Sequence, residues 1–221
     1  MPSQATEDYL KHIFQLTLEN PHQLVSMGDL AESMEVVPGT ATSMVKKLHR
    51  DKLVHYEAYS GVKLTSKGRK TALRVLRRHR LVETLLVETF GLDWAEVHED
   101  AERLEHAISD KLMERIDSFL GHPLTDPHGD PIPASDGEMP TTKIHRLVDG
   151  VAGDKVTITR ILDQEQAFLR FIDERGLRPG TTVRIEQTDD VGDAMTVRPS
   201  RRQPVTMGRA AARKLLVEPA G

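Results

Sequence analysis

The stretch that most restricts the fold runs from Ser26 to Thr65. Residues 26–34 form a short amphipathic helix, Val36-Val37-Pro38-Gly39 breaks the chain, and Thr40 to Arg50 resumes as a second helix. Two short helices on either side of a tight break make the helix-turn-helix pattern. Leu53 to Thr65 follows as a strand, a turn at Ser60-Gly61 and a second strand. Upstream, residues 5–19 place Tyr9/Leu10, Ile13/Phe14 and Leu16 at helical spacing, with Thr6 as the cap and Asn20-Pro21 as the stop. Three helices and a hairpin spell a winged helix-turn-helix. In the break and the start of the second helix, Pro38, Gly39, Thr40, Thr42 and Ser43 are the candidates to approach base edges, while Lys46, Lys47 and Arg50 further along can reach phosphates. A helical module that binds only protein is the competing reading.

Charge separates these two readings. The net charge is −4, but residues 1–80 hold 13 Lys/Arg against 8 Asp/Glu (+5), residues 81–140 hold 3 against 15 (−12), and residues 141–221 hold 14 against 11 (+3). A basic head suits an anionic polymer, and an acidic middle suits cations. The chain has no cysteine, so disulfides and thiolate ligands are excluded. No apolar run approaches membrane-spanning length and the N-terminus shows no signal pattern, so the expected location is cytoplasmic.

Beyond the hairpin, Ser66 is expected to cap a helix reaching about Phe90, closed by Gly91. Asp93-Trp94 opens another expected helix, read as continuous to about Phe119. On it His98, Glu102, Glu105 and His106 stand at i, i+4, i+7 and i+8 and share one face. Two imidazoles and two carboxylates in one stripe can ligate a metal, although such a face is often merely solvated. His79 and Glu83 form a second i, i+4 pair upstream. The Pro/Gly-rich run from Gly121 to Pro133 reads as a turn-rich connector, although its His122, His128 and Asp130 could also ligate metal. From Lys155 the pattern changes to short strands around 156–161, 182–186, 195–198 and 203–207. A helix over 166–175 interrupts them, and a last helical turn or two covers Arg209 to Leu216. Short strands in about 70 residues suggest a small β-barrel.

The matching residues are Thr6-Glu7-Asp8-Tyr9-Leu10, Leu64-Thr65-Ser66-Lys67-Gly68, Arg78 to Glu83, Val97 to His106 and Pro127 to Pro133. Through them the whole chain resembles the diphtheria toxin repressor and manganese transport regulator family of metal-dependent repressors. The resemblance implies a mainly α fold with small β parts. Its expected domains are a winged helix-turn-helix over 1–65, a helical metal-binding and dimerisation domain over 66–140, a linker over 141–150 and an SH3-like (FeoA-like) β-barrel over 151–221. It implies a primary metal site of Asp8, Glu102, Glu105 and His106 and a second site of His79, Glu83 and His98. Asp163, Gln164 or Glu165 would be the barrel's candidate ligands to the second site.

Iron-type members carry sulfur ligands at the positions of Asp8 and Glu102, whereas manganese-type members carry carboxylates there, as this chain does. Hard oxygen ligands suit Mn²⁺. Short manganese regulators have a further carboxylate where this chain has Lys11, so the resemblance points to two well-separated sites. The implied protein is a homodimer that binds a double-stranded, palindromic DNA operator when Mn²⁺ ties the DNA-binding head to the dimer body. Without metal the acidic cluster would repel itself. Fe²⁺ activation is the alternative within the family. A metal enzyme or metal buffer is the alternative outside it, although no nucleophile motif, phosphate loop or cofactor fingerprint is present. No membrane or small-molecule substrate is expected.

Overall fold

The computed structural model describes residues 3–19, 23–137, 139 and 144–220. The chain divides into two compact units. One holds the segment up to His79 together with residues 105–109 and a short piece from Pro133; the other holds residues 80–104, 110–132 and the C-terminal segment.

The first unit begins with α1 (Gln4–Glu19), α2 (Met27–Ser33) and α3 (Pro38–Arg50), followed by the hairpin β1 (Val54–Glu57) and β2 (Gly61–Leu64) and by the long α4 (Ser66–Thr84) as far as His79. Leu10, Ile13 and Phe14 from α1, Leu30 from α2, Val45 and Leu48 from α3, and Leu76 from α4 are almost wholly buried. In α1 they are residues of the helical spacing noted above, and each of these helices buries an apolar face within the first unit. The caps differ from expectation by a residue or more. Ser3, not Thr6, sits before α1, and the backbone N–H of Thr6 reaches its Oγ at 3.4 Å. Thr65, not Ser66, caps α4 by accepting from Gly68 N at 3.1 Å. A Cβ on Gly68 would lie 2.0 Å from the Leu53 carbonyl, so this glycine lets α4 start flush against the hairpin. The expected stop at Asn20-Pro21 lies outside the described residues.

In the second unit α5 (Val97–Leu104) and α6 (Asp110–Phe119) precede a six-stranded antiparallel sheet. Its strands are β3 (His145–Arg146), β4 (Lys155–Ile161), β5 (Thr182–Asp189), β6 (Ala194–Pro199), β7 (Val205–Gly208) and β8 (Leu215–Pro219), in the order β3-β8-β4-β5-β6-β7. Helix α7 (Gln166–Glu174) and the one-turn α8 (Arg209–Ala212) complete it. Trp94 and Ala95 join Ile158, Ile161, Leu169, Ile172, Val183 and Ile185 in one apolar cluster.

The structure departs from the sequence reading at three places. The expected helix over 209–216 stops at Ala212. Leu215, Leu216 and Val217 then pair with β4, because a buried apolar run beside an unpaired strand edge gains a full ladder of hydrogen bonds. The sheet already begins at His145, inside the stretch read as linker, and Leu147 and Val148 are buried. Finally, the expected helix from Trp94 to Phe119 is broken: α5 ends at Leu104, and residues 105–107 turn before α6. Ser109-Asp110, a hydroxyl followed by an acid at a helix start, is the local signal for that restart.

Candidate metal centre

The break after Leu104 changes the expected site. Glu105 and His106 do not share a helical face with His98 and Glu102; they lie on the turn, in the first unit. An interrupted helix leaves carbonyls without partners. Here Arg78 Nη1 donates to the carbonyls of Glu105 and Ile108, both at 3.0 Å. The turn is therefore held by a side chain one helix away.

Three of the four expected primary ligands come together. Ligand atoms of Asp8, Glu105 and His106 all lie within 4.8 Å of one another. His106 Nε2 is 2.7 Å from Asp8 Oδ1 and 3.2 Å from Glu105 Oε1. Glu105 is fully buried, its Oε1 2.8 Å from Lys11 Nζ and its Oε2 2.7 Å from His79 Nδ1. The fourth expected ligand, Glu102, belongs to the other unit, with Oε1 3.6 Å from His98 Nε2. Two carboxylates and an imidazole form a donor set that fits a hard or borderline divalent cation.

Sequence reasoning missed Glu7. Its Oε2 lies 2.9 Å from His106 Nδ1, and its Oε1 accepts from Arg74 Nη2 at 3.0 Å. A carboxylate on one ring nitrogen fixes the proton there and leaves the lone pair of Nε2 for a metal. The adjacency Glu7-Asp8 was visible, but consecutive helical residues point about 100° apart, and only the position of His106 lets both reach one ring. Glu7→Ala is expected to weaken metal binding about 10- to 100-fold, the usual effect of removing such an orienting partner. Titration with Mn²⁺ in a low-salt buffer reads it, and an unchanged affinity would remove the orienting role.

In the second unit, Glu83 Oε1 is 3.3 Å from His98 Nδ1. His79 stands one turn before Glu83 on α4, and its Nδ1 contact with Glu105 puts the lone pair of the neutral ring on Nε2. The run read as a turn-rich connector is instead packed: Asp126, His128 and Asp130 are all buried. Gly129 makes this possible, with φ +84° and an ideal Cβ that would fall 1.9 Å from the Thr159 carbonyl. His128 donates Nε2–H to the Trp94 carbonyl at 2.8 Å and stacks on the Trp94 ring, centroids 5.4 Å apart. Its Nδ1 therefore carries the lone pair, is buried, and has no hydrogen-bond partner among the described residues. Ligand atoms of Glu83, Asp126 and His128 also lie within 4.8 Å of one another.

Asp126 Oδ1 accepts the backbone N–H groups of His128 and Asp130, both at 2.9 Å, while buried Oδ2 is left without a hydrogen bond among the described residues. Burial, with Asp130 and Glu83 beside it, pushes the Asp126 carboxyl well above the usual carboxylate range. Arg80 is the main counter-charge, 3.6 Å from Asp126 and 3.4 Å from Asp130. Arg160 also pairs with Asp130. The imidazole nitrogen of His128 and the carboxylates of Asp126 and Glu83 form a donor set that fits a divalent cation. Of the barrel candidates, Asp163, Gln164 and Glu165 line an open groove of about 510 Å³ together with His98 and Lys214. Asp163 pairs with Lys214, and Gln164 donates to Asp130 at 2.6 Å.

On the expected recognition helix, Pro38, Gly39, Thr40, Ser43, Lys46, Lys47 and Arg50 are exposed and Thr42 is half-buried. The hydroxyls of Thr42 and Ser43 donate back to the carbonyls of Pro38 and Gly39, both at 2.8 Å. Their lone pairs are what they can offer to a base edge.

Comparison with known proteins agrees along the chain. Residues 1–62 match the family model of the iron dependent repressor N-terminal DNA binding domain, and residues 65–134 match the iron dependent repressor metal binding and dimerisation domain. Residues 145–219 match the FeoA domain. The iron-dependent repressor IdeR of Mycobacterium leprae is 31% identical over 97% of this chain and 96% of its own length. The diphtheria toxin repressor of Corynebacterium efficiens is 33% identical over 82% of each. A solved manganese-dependent transcriptional repressor in complex with manganese superposes with a TM-score of 0.88 at 39% identity, covering 97% of this chain and all of that one. A structure of ScaR with bound Cd²⁺ superposes at 0.79 with 31% identity, over 99% of this chain and all of that one. The chain belongs to the diphtheria toxin repressor family of metal-dependent transcriptional repressors, in the form that carries a C-terminal FeoA, SH3-like domain.

Proposed function

We propose that this protein is a repressor activated by Mn²⁺, working in the cytoplasm as a homodimer on a palindromic operator and controlling genes of metal homeostasis. The observation that carries the choice of metal is the ligand set: Asp8, Glu105 and His106 offer only oxygen and nitrogen, and the chain has no cysteine. A hard donor set favours Mn²⁺ over later metals as a signal, even where raw affinity follows the opposite order. The likeness to a manganese-dependent repressor at 39% identity supports the same reading, while the iron-dependent relatives keep Fe²⁺ as the alternative.

Asp8, Glu105 and His106 would hold the first ion, with Glu102 as the expected fourth ligand and Glu7 steadying the imidazole. Such an ion would add positive charge beside Asp8 and Glu105, on top of that supplied by Lys11. Held to the ion, Asp8 would fasten α1, on which α2 packs with α3 packed on α2 in turn, to the turn that carries Glu105 and His106. The recognition helices are then held in one arrangement, which two half-sites of DNA can select. For the second ion the family resemblance proposes His79, Glu83 and His98. The geometry also favours Glu83, Asp126 and His128, because His128 Nδ1 is a buried lone pair without a partner among the described residues. Phe90, Leu112 and Phe119 expose apolar side chains in the second unit, as a dimerisation surface would.

Anisotropy of labelled genomic fragments tests the reading, at fixed salt, with chelator, Mn²⁺, anaerobic Fe²⁺ or Zn²⁺. Tight, sequence-selective binding with Mn²⁺ alone is expected; equal activation by Fe²⁺ would remove the choice of metal, and binding indifferent to metal would remove the mechanism. Trp94, the single tryptophan, stacks on His128 and reports the second site separately, so its fluorescence should change on Mn²⁺ addition and not in Asp126→Asn. Lys46→Ala or Lys47→Ala should weaken binding to every sequence alike and lower the log–log salt slope by about 1 for each phosphate no longer neutralised. A change confined to one operator position would assign these lysines to base reading instead.

A further inference from the structure

We propose that Lys11 sets how tightly the Asp8–Glu105–His106 cluster holds its divalent cation, by acting as a permanent competing cation on Glu105. The inference rests on the reading of that cluster as a metal site. Lys11 follows Asp8 by three residues on α1, so both side chains leave the same helical face. It is 1% exposed, among the largest fully buried side chains of the molecule. Its Nζ lies 2.8 Å from Glu105 Oε1, and the same oxygen is 3.2 Å from His106 Nε2. One carboxylate oxygen thus serves both the ammonium and the place where a metal would join Asp8 and His106.

Two consequences follow from this sharing. A buried carboxylate without a partner is strongly unfavourable, yet Glu105 has Lys11 on one oxygen and His79 on the other. The cluster therefore does not repel itself in the absence of metal, contrary to the expectation from the acidic stripe alone. The second consequence concerns affinity. Glu7, Asp8 and Glu105 bring three negative charges, and Lys11 and Arg74 return two of them. A fixed positive charge beside a divalent ion, shielded from water, opposes its binding. Lys11 balances the buried charge of Glu105 when no ion is bound and keeps the cluster's hold on the ion weak, as a sensor that must release its signal requires.

The test compares the full chain with Lys11→Met, which keeps length and burial but not charge, and with Lys11→Arg, which keeps the charge. Mn²⁺ affinity is measured by competition with a fluorescent chelator; the binding class abolished in Asp8→Ala identifies the cluster. Unfolding midpoints in excess chelator are measured in parallel. Lys11→Met is expected to bind Mn²⁺ at least tenfold more tightly at this class, about 1.4 kcal/mol, while melting at a lower temperature without metal. Lys11→Arg is expected to stay near the parent. A merely structural lysine would lower stability and weaken or leave unchanged the metal affinity, and that result overturns the proposal. If Lys11→Met does not fold without metal, Lys11→Gln, which can still donate to Glu105, carries the same comparison. A parent chain that takes up no Mn²⁺ at this class overturns the metal-site reading and the proposal with it. A parent that binds while neither neutral variant binds more tightly overturns the proposal alone.

Discussion

If Asp8 is a ligand as proposed, Asp8→Ala should reduce Mn²⁺-dependent operator binding by more than about 100-fold, beyond the effect typical of an orienting partner. Metal-independent, non-specific DNA binding should stay close to that of the parent. The reason lies in what Asp8 joins. It is the α1 residue whose carboxylate reaches His106 Nε2, at 2.7 Å, and no other residue of α1 offers an oxygen to that nitrogen among the described residues. Glu7 reaches the opposite nitrogen and Lys11 brings a positive charge. The α3 face and its lysines are untouched, so the phosphate-dependent part of DNA affinity should persist. Anisotropy at several Mn²⁺ concentrations reads the effect, with sedimentation to show that the assembly state is unchanged. Full activation of Asp8→Ala by Mn²⁺ would sink the mechanism.

The largest loss of stability is expected from Arg80→Met. Arg80 is buried beside Asp126 and Asp130, and its Nη1 also donates to the Pro131 carbonyl at 2.5 Å. Removing one partner of a buried ionic network leaves the other charges uncompensated, at a cost of about 3–5 kcal/mol. Asp126 feels this most, because burial and its acidic neighbours already hold its pKa up. Urea unfolding followed by Trp94 fluorescence isolates the second unit, where the only tryptophan lies. In chelator the midpoint should fall sharply. With Mn²⁺ it should recover in part, since a cation held by Glu83, Asp126 and His128 would supply the charge that Arg80 had supplied. A fall without recovery would separate Arg80 from any metal site there.

Much of the DNA-binding half could be read residue by residue because its determinants are local. The apolar spacing in α1, α2 and α3, Pro38 at the first turn of α3, and the hairpin turn before Gly61 act within a few residues of themselves. The residue types of the candidate metal clusters were legible for a different reason. Carboxylates and imidazoles at i+3 and i+4 spacing are rare enough to stand out, and the resemblance to a known family supplied Asp8 as a partner for His106, 98 residues away along the chain. The stripe misled only in its geometry, since periodicity assumes that a helix continues.

What the sequence by itself determined is therefore the order of modules, the helix-turn-helix, the absence of any cysteine ligand, and most residue types of the candidate metal clusters. Only the tertiary structure decided which of those residues meet. The helix stops at Leu104 because Arg78, Lys11 and His79, all distant in sequence, accept the turn and the buried Glu105. The run from Asp126 to Asp130 is buried because Gly129 can lie against β4 and because Arg80 and Arg160 supply its counter-charges. Strand β8 forms because β4 has an edge to pair. In each case the deciding term is the cost of a buried charge or an unpaired backbone group, which depends on residues that arrive from elsewhere in the chain. Local propensity carries no information about those arrivals.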